Sequence, residues 1–142
     1  MMDSIKHEIE ALHEFFVAWF TGRASASRFD AEFLARFDPD FRLIQPAGHL
    51  LKLNDIADAI HSRYASNPDF RIAIRNVEIV RMLPGYVLAT YEEWQRNALA
   101  SIPADNARLA SVLLSADVPH RWVHVHETWL PEAIARAGPY DF

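Results

Sequence analysis

The chain has 142 residues, no cysteine, 51% hydrophobic and 12% aromatic residues, and 19 acidic against 14 basic side chains for a net charge of -5. Such a chain is long enough for one domain with one core and too apolar to be disordered, and without cysteine it has neither a disulfide framework nor a thiolate-held metal. The acidic balance and the absence of a basic run argue against a nucleic-acid partner. Charged residues within the first ten positions, and no apolar run near the roughly 20 residues that span a bilayer, predict a soluble cytoplasmic protein that does not enter the membrane.

Ile5, Ile9, Leu12, Phe16 and Trp19 or Phe20 recur at steps of three and four, which predicts an amphipathic first helix capped by Asp3 or Ser4 and ended by Gly22. Ser27 and Asp30 resemble a capping signal for a short second helix with Phe29, Phe33 and Phe37 on one face, stopped by Asp38-Pro39-Asp40. A strand from Phe41 to Gln45, a turn at Pro46-Ala47-Gly48 and an extended piece from His49 to Lys52 follow. Asn54 caps a third helix with Ile56, Ile60 and Tyr64 on its apolar face, and Asn67-Pro68-Asp69 stops it. Four long β-rich runs come next: Phe70 to Met82, Tyr86 to Arg96, about Arg108 to Ala116, and Arg121 to Leu130. Their short connections favour antiparallel neighbours. Pro131 to Gly138 adds a terminal turn, and the absence of repeats or linkers makes residues 1–142 a single domain.

Helices first and a long meander afterwards imply an α+β domain whose helices pack on one face of a strongly curved, mostly antiparallel sheet. In this order the sequence resembles the nuclear transport factor 2-like (NTF2-like) superfamily, in particular its SnoaL-like and ketosteroid-isomerase-like branches, over roughly residues 5 to 131. The residues that carry the resemblance are the opening helix, Phe37-Asp38-Pro39-Asp40-Phe41, the Pro46-Ala47-Gly48 turn, helix three, Tyr91-Glu92-Glu93-Trp94 and the closing Trp122 to Glu127. The resemblance implies a cone-shaped, cystatin-like fold, an internal pocket for a small hydrophobic or carbonyl-containing metabolite, and dimerisation through the outer sheet face. The superfamily's best-known chemistry, proton transfer next to a carbonyl, uses an Asp just before the turn, where this chain has Gln45, an amide that cannot act as a base. Phe15, Phe16 and Trp19 fall near the family's phenol donor, and Ser111 falls near its acidic donor.

The closing run from Arg121 to Leu130 is the richest in chemistry. Strand alternation puts Trp122, His124, His126 and Thr128 on one face, with Val123, Val125, Glu127 and Trp129 on the other. The two histidines have three readings: a metal pair needing a third ligand such as His49, Glu92 or Glu93; acid/base machinery; or hydrogen-bonded linings of a pocket or dimer contact. Only one of Glu92 and Glu93 can face the cone, and the register is taken with Glu92, Thr90 and Trp94 inward. Arg108, if turned inward, would bind an acidic ligand, although such a residue more often sits on an edge.

These readings combine into an expected pocket protein that needs no cofactor and holds no metal. If it is an enzyme, it is an isomerase, lyase or cyclase with His124 or His126 as acid or base, Glu92 as orienting carboxylate, and Gln45 or Ser111 as oxyanion donor. Trp19, Tyr64 and Trp94 are candidates to stack on the ligand, or simply to fill the core. The alternative is a non-catalytic homodimer or interaction module with an incidental cavity.

Overall fold

The computed structural model describes residues 1–142. Helix α1 (Met2–Phe20) opens the chain; α2 (Phe29–Glu32) is a single turn flanked by 3-10 turns at Ala26–Arg28 and Leu34–Arg36; strands β1 (Phe37–Ile44) and β2 (Leu50–Lys52) lead into α3 (Leu53–His61). Strands β3 (Arg71–Leu83), β4 (Tyr86–Arg96), β5 (Asn106–Ser115) and β6 (Trp122–Trp129) form the meander, and α4 (Glu132–Ala137) closes the chain. The six strands make one sheet in the order β2-β1-β6-β5-β4-β3, antiparallel throughout except that β1 runs parallel to β6. No helix is long and apolar enough to cross a membrane.

The core lies between α1 and the concave side of the sheet. Ile5, Ile9, Leu12, Phe15 and Trp19 pack on Val87, Ala89, Tyr91, Ala110, Val112, Leu114, Trp122 and Val125. The second helix expected over Phe29 to Phe37 is shorter than its pattern suggested, because Phe37 already belongs to β1. Its phenylalanines keep their shared face nonetheless. Ring centroids step from Phe29 to Phe33 at 5.0 Å, to Phe37 at 4.8 Å and to Phe41 at 4.7 Å, so aromatic packing fixes this segment where helix hydrogen bonds do not.

The carboxyl end of α1 is locked by the segment after α3: Ala65 N–H donates to the Trp19 carbonyl at 3.0 Å and Asn67 N–H to the Phe20 carbonyl at 2.9 Å. Gly22 ends α1 with φ +80°, and a Cβ there would lie 2.8 Å from Ala65 Cβ. Both the backbone and the space select glycine. Gly22→Ala is therefore expected to lose about 1–3 kcal/mol in urea unfolding.

Two irregularities decide which side chains reach the interior. In β6, Trp122 pairs with Leu114 and His124 with the adjacent Leu113, so Val123 is an extra residue, a β-bulge. In β3, Arg75 pairs with Glu92 and Glu78 with Thr90, so the strand bulges around Asn76, whose φ is +55°. The tail beyond α4 folds back over the outer sheet face, where Tyr140 packs on Trp94 at 5.4 Å and the Arg75 guanidinium lies 4.5 Å from the Trp94 ring centroid.

Candidate functional site

A cavity of about 740 Å³ opens between α1, α3, the β1–β2 turn and the concave sheet. Its walls are largely apolar, with Phe16, Phe20, Leu43, Leu51, Ile56, Ile60 and Phe70, while Glu93, Gln95, Arg108 and Glu127 form a polar floor and Gln45 adds an amide. Alternation in the strands brings these floor residues together. Glu93 and Gln95 are two apart on β4, Glu93 lies opposite Arg108 on β5, and Glu127 on β6 pairs with Ala110, which makes it the diagonal neighbour of Arg108 two residues along the same face.

His13 reaches the same cluster from α1. Its Nδ1 lies 2.7 Å from the Ile9 carbonyl, which can only accept, so this nitrogen carries a hydrogen. Its Nε2 lies 3.0 Å from Glu93 Oε1, and both side chains are buried. Burial pushes the histidine pKa down, but the Glu93 charge and hydrogen bond, with the Ile9 carbonyl, outweigh it and raise the value above the ordinary 6.5. Burial likewise pushes Glu93 up, but His13, Arg108 and the Gln95 amide outweigh it, so the carboxyl falls to about 2. His13 and Glu93 form a buried ion pair.

Glu127 has the opposite fate. Burial and the Glu93 charge raise its carboxyl to about 7, against the lowering pull of Arg108 and His13. Arg108 Nη1 is 3.3 Å from Glu127 Oε1, and Nη2 is 3.5 Å from Gln95 Oε1. The Nε of Arg108 is buried without a partner. Trp129 covers the guanidinium from the side, 4.9 Å from ring centroid to Cζ. The floor therefore holds two carboxyls of different protonation around one guanidinium, the pattern by which a site divides acid and base roles.

A set of solved structures shares this architecture. An NTF2-like protein of unknown function from Pseudomonas aeruginosa superposes with a TM-score of 0.78 at 25% identity, over 90% of this chain and 99% of that one. A cystatin-like-fold protein from Caulobacter vibrioides gives 0.64 at 20% identity, over 96% of this chain and 94% of that one. The CaMKII hub of S. rosetta gives 0.62 at 13% identity, over 87% and 95%. The chain has the NTF2-like fold. No protein-family model matches it, and no curated protein matches its sequence.

Within the NTF2-like cone, the residues singled out in sequence are scattered. Gln45 lines the cavity. His124 and His126 do not: the bulge at Val123 puts Trp122, Val125 and Glu127 inward and turns both histidines to the outer sheet face, where His126 is exposed. Glu92 faces outward too, accepting from Asn76 Nδ2 at 2.8 Å and Trp94 Nε1 at 2.9 Å. The inward choice of Glu92, Thr90 and Trp94 is thus reversed, since Ala89, Tyr91 and Glu93 are the buried set. Trp94 is buried by the C-terminal tail, away from the cavity. Ser111 is exposed on the outer face. Trp19 is fully buried in the core, donating from Nε1 to the Ile60 carbonyl at 2.8 Å, and Tyr64 packs on it while donating to the Ala24 carbonyl at 2.7 Å.

No sequence expectation attaches to His13; Glu93 and Glu127 fall on the face opposite the one expected inward; and Arg108, expected more often at an edge, turns inward and lines the cavity. One signal for His13 was present. It falls four residues after Ile9 and three before Phe16, inside the apolar stripe of α1, where a polar residue needs a buried partner.

Proposed function

We propose that this NTF2-like protein is a cofactor-free acid/base catalyst, an isomerase, lyase or cyclase, acting on a small molecule with an apolar body and a carbonyl-type oxygen. Glu127 moves the proton, Arg108 stabilises the negative oxygen that develops, Glu93 sets the field, and Gln45 is a neutral donor. The observation that supports this reading is the pair of interior carboxyls, one about 2 and one about 7, in a single largely apolar cavity. A carboxyl with a pKa near ambient pH takes and returns protons most effectively, and a guanidinium in a site of low dielectric stabilises an oxyanion strongly. The roles first sought in His124, His126 and Glu92 pass to Glu127 and its neighbours.

Deuterium incorporation beside the carbonyl of a panel of small cyclic and aromatic ketones in heavy water, followed by proton NMR, tests this. The expected result is exchange above the buffer blank that rises through about pH 7 as Glu127 ionises. No catalysed exchange across the panel would remove the catalytic reading.

A second reading concerns the outer sheet face. Leu109, 39% exposed, stands there beside Ser111, His126 and Thr128, and one structural neighbour is a kinase hub. We expect a homodimer through this face in sedimentation experiments, with Leu109→Asp raising the dimer dissociation constant at least about tenfold by burying a charge in the contact.

A further inference from the structure

The ligand's chemistry follows from how the cavity floor is charged, and the inference rests on the reading of that cavity as a ligand site. We propose that the cone cavity takes an apolar monocarboxylate, bound by its carboxylate to Arg108, and that binding makes Glu127 take up one proton.

Arg108 supplies the anchoring group. It is held by two long contacts, 3.3 Å to Glu127 and 3.5 Å to Gln95, and its Nε has no partner although it is buried. An unmade hydrogen bond on a desolvated guanidinium is costly, and a carboxylate matches its planar fork with two parallel bonds. A neutral carbonyl fills one such position and leaves the charge where it was.

Charge pairing then dictates the proton. His13 and Glu93 neutralise each other across 3.0 Å, so Glu127 is the counter-charge left to Arg108. The groups around Glu127 are His13 from α1, Tyr91 and Glu93 from β4 and Arg108 from β5, while Gln45 and Arg63 line the same cavity from the β1 and α3 sides. When a ligand carboxylate takes Arg108, three carboxylates would share a buried floor with two cations. Protonating the least favoured carboxylate relieves this, and Glu127 is the one with Glu93 beside it and no histidine of its own. The ligand enters as an anion, a solvent or buffer acid gives up the proton that forms the Glu127 O–H bond, and no bond of the ligand is made or broken. As a neutral acid Glu127 also becomes a donor toward the bound carboxylate. Phe16, Leu43, Leu51, Ile56 and Phe70 make the rest of the space suited to a hydrocarbon body.

Isothermal titration at pH 7.5 in two buffers of different ionisation enthalpy, with straight and branched acids of four to eight carbons and their matching amides, tests the proposal. The acids are expected to bind at least about tenfold tighter than the amides, with net proton uptake and a dissociation constant that rises toward tenfold per pH unit above pH 7. Glu127→Gln should retain acid binding but lose both the proton uptake and the pH dependence. Arg108→Gln should lose the preference for acids. Amides binding as well as acids, or acids binding without proton uptake, overturns the proposal while leaving the cavity a ligand site. If neither series binds a variant-free, folded protein, the cavity reading falls as well.

Discussion

Replacing His13 with leucine is expected to cost about 3–5 kcal/mol of folding stability near pH 6, because the change fills the space but strands the Glu93 carboxylate without its buried partner. The pH dependence distinguishes this from a packing defect. Glu93 is depressed, so its contribution is present above the ordinary 4.5 and is lost as pH falls through about 2; His13 is raised, so its contribution is present below 6.5 and is lost as pH rises through its folded value. The gap between wild type and variant should therefore be widest between about pH 4.5 and 6.5 and narrower at pH 3. Urea unfolding at pH 3 and pH 6 measures it. Adding Glu93→Gln to the leucine variant removes the stranded charge and is expected to recover roughly half or more of the loss. A gap that is constant with pH would mean that His13 acts by shape alone.

Glu127→Gln should have the largest effect on turnover. If Glu127 carries the proton, the amide, which neither accepts nor returns one, is expected to lower ketone exchange by about 10²–10⁴-fold at pH 7.5. Stability should move the other way. The unfolded carboxyl ionises at about 4.5 and the folded one at about 7, so the folded state loses ground to the unfolded one as pH climbs between those values. The glutamine variant has no such titration. Its unfolding free energy is expected to decline less than that of wild type between pH 5 and pH 8, the decline that remains above pH 6.5 being that of His13. An inactive protein that gains relative stability at high pH would mark Glu127 as a strained functional group. Unchanged exchange in the variant would rule Glu127 out as the proton carrier.

The elements were largely legible in the sequence because periodicity reports them directly. The stripe from Ile5 to Phe20 gives α1, and the four β-rich runs give β3 to β6 within a few residues of their observed ends. Facing was not legible. Alternation yields two parities and needs one fixed point to choose between them, and the tryptophans that offer themselves as fixed points mislead. Trp94 is apolar and buried, yet its cover is Tyr140 from a tail that carries no signal of where it will fold. Trp122 is interior, but the bulge after it cancels its authority over His124 and His126. Bulges are tertiary choices made by pairing partners, and here β1 bulges as well, spending Asp38 to Phe41 between the residues opposite Trp122 and His124. The cavity floor was hidden for the same reason, since each of Glu93, Arg108 and Glu127 reads as a surface charge until its partners are known.

The extra residue at Val123 has a consequence beyond geometry. A β6 that ran straight from Trp122 would carry two imidazoles into the cone and turn its carboxyl to solvent; the bulged strand does the reverse. The interior reagent of this chain is thus set by a count of residues as much as by their identity. Deleting Val123 would straighten β6 and still leave Val125 and Glu127 inward, so with Val123 present it is the bulge that keeps carboxylic acid and not imidazole in the cone.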